Sequence, residues 1–82
     1  MSPTVFREGP YRFFFFSREE ARCHIHIRAG EREAKLWIEP DVELAENSGF
    51  NSSEIGIIKK LVEEHRDEIQ AAWNRHFTSG SK

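Results

Sequence analysis

Two short segments of strictly alternating polarity constrain the centre of this fold. Residues 23–28 and 33–38 each place apolar side chains at every second position, which is the period of a strand with one buried face. Gly30-Glu31 lies between them, and glycine at the first turn position favours a type II′ hairpin. A two-residue turn there pairs Ala29 with Arg32 and predicts the register of the whole hairpin.

The predicted register gives the hairpin one wholly apolar face and one face that carries chemically active groups. A slip of one residue would mix apolar and polar side chains on both faces, so the two-residue turn is favoured. The second face is expected to hold two histidines, a tryptophan and an ion pair. Its predicted cross-strand pairs are Arg28–Glu33, His26–Lys35 and His24–Trp37.

Two more strands are predicted before the hairpin. Residues 4–8 are a β-prone run that ends at the turn signal Gly9-Pro10. Residues 11–17 contain four consecutive phenylalanines, which cannot all lie on one face, so this strand is expected to be covered on both sides. The phenylalanines that share the face of Trp37 are either Phe13 and Phe15 or Phe14 and Phe16.

The last third of the chain has a helical period. Apolar residues recur at three- and four-residue steps, and Asn51 with Glu54 has the spacing of a capping box. Residues 42–45 are either a short fifth strand or the start of a helical turn. We therefore predict one α+β domain over residues 1–77, followed by a flexible tail at 78–82. Its elements are an antiparallel sheet of about four strands, at roughly 4–8, 11–17, 23–29 and 32–38, and one long helix, at roughly 52–77, packed on the Ile25/Leu36 face.

Composition narrows the class of protein. The chain has 82 residues, 38% hydrophobic and 32% charged, which suits one small soluble domain. Its formal net charge of −2 provides no general attraction for nucleic acid. The single cysteine, Cys23, permits no internal disulfide. Because no apolar run reaches about 20 residues and the N-terminus lacks a signal pattern, we expect a cytoplasmic protein that does not contact membranes.

The His-x-His pair suggests a metal site as one hypothesis. His24 and His26 lie two residues apart on a strand, so both imidazoles point to the same side. A catalytic zinc site usually takes three protein ligands, and Lys35, opposite His26, would repel a cation. Metal binding through His24 and His26 therefore stays an alternative, and we expect no cofactor.

Trp37 points to a partner surface. The apolar face of the hairpin is already filled by aliphatic side chains, so an indole on the other face needs a second cover. An aromatic patch beside charged groups is typical of protein–protein contacts. We expect the chain to bind a small partner protein or a second copy of itself. The expected binding surface consists of Arg12, His24, His26, Arg28, Lys35 and Trp37.

An enzyme acting on RNA is the alternative class of function. His24 and His26 would be the acid and the base, because histidine transfers protons near neutral pH. Arg12 or Arg28 would hold the phosphate, although contact with nucleic acid is only weakly indicated. Cys23 lies on the core face by alternation, away from His24, so a Cys–His dyad is disfavoured. We expect a binding protein rather than an enzyme.

Several short motifs follow one another along nearly the whole chain. They are YRFFFFSREE at 11–20, HIHI at 24–27, EAKLWIEP at 33–40, ELA at 43–45, GF at 49–50, EEHR at 63–66, AW at 72–73 and HF at 76–77. In this order they resemble the short prokaryotic proteins of domain-of-unknown-function family 4160. Residues 21–23 here replace the prolines that many members have before the His-x-His pair.

The resemblance implies a type of partner but no activity, since the family has no established one. Its members are often encoded beside a second small protein family, an arrangement that looks like toxin–antitoxin pairing. One component of such a pair would need a partner surface, in agreement with the expectation for Trp37.

Overall fold

A computed structural model describes residues 4–15 and 22–80 and shows an α+β fold. Five antiparallel strands form one sheet in which each strand pairs with its neighbours in the sequence. The strands are β1 (Thr4–Glu8), β2 (Tyr11–Phe14), β3 (His24–Ala29), β4 (Arg32–Trp37) and β5 (Glu43–Ser48), and the helices are α1 (Ser52–Glu64) and α2 (Arg66–Gly80). The predicted α+β fold class is confirmed, whereas the predicted sheet of about four strands and single long helix are matched only roughly, by five strands and two helices.

The register predicted for the β3–β4 hairpin is confirmed along its whole length, from Ala29 opposite Arg32 to His24 opposite Trp37. Gly30 has a φ of 64°, and no other residue type in the described ranges has a positive φ. A positive φ at the first turn position alone is the signature of a type II′ turn. The alternation of the two strands therefore determines which side chains share a face.

The register of β2 settles which phenylalanine lies beside the histidines. Phe13 pairs with Ile27 and Phe14 pairs with His26. Directly opposed residues of an antiparallel pair share a face, so Phe14 lies on the face of Trp37 and Phe13 lies in the core. β2 ends at Phe14 rather than at residue 17, and Phe16 lies outside the described residues.

A fifth strand is the first correction to the predicted sheet of about four strands, and it shows residues 43–45 as a strand rather than a helical turn. Residues 43–48 pair with β4, and an irregularity opposite Lys35/Leu36 shifts the register within the strand. β5 is an edge strand, and most of its residues are exposed. Because both of its faces meet solvent, it lacks the apolar alternation that marks a buried strand.

Two helices in place of one are the second correction. The capping box is confirmed at the start of α1, where the Glu54 amide donates to the Asn51 side-chain oxygen at 2.9 Å. His65 alone interrupts the helical run, with a φ of −104° and a ψ of 16°. Its ring stacks on Phe6 of β1 with centroids 4.0 Å apart. The helix break therefore lies at a contact with the sheet. The spacing of apolar residues along the helix does not predict this contact.

Both helices contribute to one core on the Ile25/Leu36 face of the sheet, as predicted. Ile58 and Val62 of α1 and Ile69 and Trp73 of α2 are buried with the apolar side chains of the strands. In the described part of the chain, neither helix is long and apolar enough to cross a membrane. α2 extends to Gly80, and the flexibility of residues 78–82 stays a prediction.

Candidate functional site

The sheet face opposite this core, which we call the polar face, carries the predicted site residues in three rows across the strands. The first row is Arg7, Arg12, Arg28, Glu33 and Ser48. The second row is Phe14, His26, Lys35 and Glu46. The third row is His24, Trp37 and Glu43. The alternation of β2–β4 thus brings all six predicted binding residues to one face of the sheet.

His24 belongs to this face by alternation, yet it is fully buried, with 0% of its surface exposed. Its ring makes edge-to-face contacts with Trp37 and with Trp73 of α2, at centroid distances of 5.5 and 5.1 Å. Its Nδ1–H donates to the carbonyl oxygen of Arg22 at 2.7 Å, because a carbonyl can only accept. His24 is therefore a packed, oriented side chain, and the exposed position expected for it is not observed.

His26 is almost as buried, with 8% of its surface exposed. Its ring stacks on Phe14 at a centroid distance of 5.6 Å and lies 5.1 Å from the ring of His24. A substrate cannot reach both imidazoles in this arrangement, since His24 is enclosed. Within residues 4–15 and 22–80, no three His, Cys, Asp or Glu side chains are grouped so that they could hold a metal ion.

Among the described residues of the polar face, Trp37 is the half-exposed aromatic one. Two cations lie over its ring: the Arg22 guanidinium at 4.3 Å and the Lys35 ammonium at 4.6 Å from the centroid. Arg22 is held there by a hydrogen bond from its Nε–H to the Glu39 carbonyl oxygen at 2.9 Å. Arg22 was not among the predicted site residues, because its place beside Trp37 depends on the chain path before β3.

A polar groove of about 320 Å³ runs beside His26 along β4 and β5. Lys35 contributes an ammonium group to its wall, and Glu33 and Glu46 contribute carboxylates. Small-molecule sites are mostly apolar with few polar groups, whereas this groove is charged on both sides. It is therefore better suited to polar side chains of a macromolecule than to a compact apolar ligand.

The arginines of the first row lie at the other end of the polar face. The Arg12 guanidinium lies 4.5 Å above the Phe14 ring, and its Nε–H donates to the Thr4 hydroxyl oxygen at 2.7 Å. Arg28 is exposed, and its Nε–H makes a long hydrogen bond, 3.4 Å, to the Gly30 carbonyl oxygen. In the parts of the chain that the structure describes, the expected Arg28–Glu33 ion pair is not formed.

Cys23 has no reactive character in this fold. It is buried in the core, and burial raises the pKa of its thiol to about 12, an effect that the Glu39 carboxylate strengthens and the Arg66 guanidinium opposes. The thiolate is the nucleophilic form of cysteine. Near neutral pH the side chain is therefore a neutral thiol that packs as a small apolar group.

We expect Cys23 to resist a disulfide reagent such as Ellman's reagent in the native protein at pH 8 and to react rapidly in 8 M urea. Because the pKa of the Cys23 thiol is higher in the folded than in the unfolded state, its contribution to the free energy of unfolding is complete below about pH 9. That contribution is lost progressively as the pH rises towards 12. Absorbance at 412 nm follows the reaction. Equal rates with and without urea would contradict the assignment.

The sequence of this chain matches the model of a known protein family. The model of a domain of unknown function (DUF4160) matches residues 11–74, which is more than three quarters of the chain. The matched residues run from the start of β2 into α2 and so include Arg12, Trp37 and Trp73. No curated protein and no solved structure matches the chain.

Proposed function

This chain belongs to the DUF4160 family, and we propose that it is a non-enzymatic protein-binding module whose contact surface is the polar face around Trp37. The partner is a small protein encoded nearby or a second copy of the chain, and the site of action is the cytoplasm. One component of a toxin–antitoxin-like pair would have these properties.

The position of Trp37 is the main observation that supports this proposal. It is half-exposed on the sheet face opposite α1 and α2, while the other tryptophan of the chain, Trp73, is buried in the core. Tryptophan and arginine are the residue types most enriched among residues that dominate protein-binding energies. Arg22 lies directly against Trp37, so both types occur at one point of the surface.

The groove beside Trp37 supports a macromolecular partner. Lys35 joins the two features, because its ammonium lies over the indole and the residue also lines the groove. Interfaces combine an apolar centre rich in aromatic residues with a polar rim, and they contain about one hydrogen bond per 100–200 Å² of interface. Trp37 would supply the centre of such an interface, and Glu33, Lys35 and Glu46 would supply part of the rim.

The RNA-acting enzyme is the weaker alternative. An acid–base pair of His24 and His26 requires both rings to touch the reacting atoms. The complete burial of His24 between two tryptophans argues against that contact. A role for His24 in orienting Trp37 agrees better with its surroundings.

Trp37→Ala is expected to weaken binding of the partner at least tenfold, because tryptophan anchors commonly contribute about 2 kcal/mol or more to an interface. The tagged chain is expressed in its native cell, and the protein that co-purifies in constant ratio is identified by mass spectrometry. Self-association is measured on the pure protein by size-exclusion chromatography with light scattering. The affinity of the Trp37→Ala variant for the identified partner, or for a second copy of itself, is then measured and compared with that of wild type.

Ile57→Ala is the matched control for this experiment. Ile57 is 50% exposed on α1, so the control also removes an exposed hydrophobic side chain, but from the helical side of the domain. It should leave partner binding unchanged. A protein that is strictly monomeric and has no stoichiometric partner, or a partner lost equally from both variants, would contradict the proposal.

A further inference from the structure

Three arginines stand side by side in the first row of the polar face. Arg7 of β1 lies directly opposite Arg12 of β2, and Arg12 lies directly opposite Arg28 of β3. Opposed residues of antiparallel strands share a face, and neighbouring strands are about 4.8 Å apart. The three side chains, which we call the arginine row, therefore leave the sheet within about 10 Å of one another.

The arginine row is unfavourable for the fold by itself. Like charges directly opposite each other across two strands are destabilising. Within residues 4–15 and 22–80, neither Arg7 nor Arg28 forms an ion pair with a carboxylate. Positive charge is thus concentrated on one row of a protein whose formal net charge is −2. Such a conflict between local chemistry and stability is typical of functional sites.

The middle arginine is oriented by its neighbours. Arg12 lies over the Phe14 ring and donates its Nε–H to Thr4, so the guanidinium is held close to the sheet. Arg7 and Arg28 flank it from the adjacent strands and are exposed. Planar guanidinium groups bind phosphate oxygens through two parallel hydrogen bonds, which makes arginine the preferred residue for phosphate recognition.

We propose that the arginine row binds the phosphate backbone of a single-stranded nucleic acid. Binding of a phosphate backbone depends on cations, and each neutralised phosphate releases counterions. A straight row of cations on a sheet face suits a single strand, whereas duplexes are read by elements that enter a groove. The sequence alone gives Arg12 and Arg28 as candidate phosphate ligands, and the register of β1 places Arg7 beside them.

Nucleic acid is favoured over an acidic protein as the occupant of the arginine row. Protein interfaces are centred on accessible aromatic or aliphatic anchors. Among the described residues the arginine row offers none, because the other members of the first row are Glu33 and Ser48, and Phe14 of the next row is buried. Contacts to the phosphate backbone need no such anchor. Trp37 is about 13 Å away along the strands, so this inference goes beyond the proposed protein-binding function and does not rest on it.

The test compares Arg7→Gln/Arg28→Gln with wild type by fluorescence anisotropy of a labelled, mixed-sequence 20-nucleotide RNA between 50 and 200 mM salt. The variant should bind at least tenfold more weakly at 50 mM salt. The slope of log K against log salt should become shallower by about 1.4, since each lost phosphate contact on a single strand contributes about 0.7. Both positions are exposed, so the variant should melt at the wild-type temperature or above.

Lys59→Gln/Lys60→Gln is the matched control, because it removes the same charge from two exposed residues of α1. It should bind RNA as wild type does. Glu33→Gln removes the carboxylate opposite Arg28 and should tighten binding about threefold, a gain that unfolding cannot produce. Equal losses in both double variants, no binding at 50 mM salt, or equal competition by polyglutamate and polyuridylate would overturn the proposal.

Discussion

Trp73→Ala should lower the free energy of unfolding by about 3–5 kcal/mol, the range found when a buried aromatic side chain is truncated. Trp73 is 8% exposed on α2 and meets the Phe15 ring edge-on at a centroid distance of 5.3 Å. The same indole contacts His24 at the start of β3. Its loss would therefore open a cavity where α2, β3 and the end of β2 meet. Urea unfolding followed by circular dichroism measures the effect.

Trp37→Ala is the matched control for this loss of stability. Trp37 is half-exposed and lies outside the core, so its removal should cost less than about 1 kcal/mol. Trp73→Phe should recover a large part of the stability, because it keeps an aromatic ring between Phe15 and His24. Similar unfolding midpoints for Trp37→Ala and Trp73→Ala would contradict the separation of a structural tryptophan from a surface one.

Gly49→Ala should destabilise the domain by about 2 kcal/mol, through backbone strain and a steric clash. Gly49 has a φ of 103°, a conformation that side-chain-bearing residues rarely adopt. A Cβ there would lie 2.9 Å from Cγ of Arg32, near the root of that side chain. Arg32 pairs with Glu54 of the capping box, so its displacement would also loosen the start of α1. Thermal unfolding measures the cost.

Gly56→Ala is a control variant that should change the stability in the opposite direction. Gly56 lies inside α1, and an added Cβ would meet no atom within 4 Å. Alanine is favoured over glycine in a helix by about 1 kcal/mol, so the variant should be more stable than wild type. If both glycine variants changed stability in the same direction, the conformational role assigned to Gly49 would be wrong.

The hairpin at the centre of the sheet was predictable because two independent signals agree there. Alternation in residues 23–28 and 33–38 assigns the faces, and Gly30 sets the length of the turn. Either signal by itself would leave a slip of one residue open. Five of the six predicted residues of the polar face follow from this register, whereas the place of Arg12 depends on the pairing of β2 with β3.

The features that could not be predicted from the sequence depend on contacts between distant parts of the chain. β5 is exposed on both faces and becomes a strand by pairing with β4, which its own pattern does not encode. The helix break at His65 coincides with a ring from β1 stacked on that residue. His24 is buried because Trp73 of α2 reaches it, and helical periodicity indicates which residues face the sheet but not which strand end they meet.

Two regions of the polar face have different chemistry. Trp37, with Arg22 and Lys35 over its ring, forms an aromatic and cationic patch beside the groove. The arginine row lies about four residues farther along β3, and within residues 4–15 and 22–80 the aromatic ring nearest to it, Phe14, is buried. A protein partner centred on Trp37 and a nucleic acid strand centred on Arg12 would therefore contact different parts of one surface, which meet at Glu33. Variants of Trp37 and of the arginines test the two parts separately.

The indole N–H resonances of the two tryptophans test the central claim most directly. In protein with ¹⁵N-labelled indoles, Trp37 and Trp73 give two signals, which the Trp37→Ala and Trp73→Phe variants assign. Adding the co-purified partner, or concentrating the chain where it self-associates, should shift the Trp37 signal while Trp73 shifts far less. A complex that forms while the Trp37 signal stays unchanged would contradict binding through the polar face.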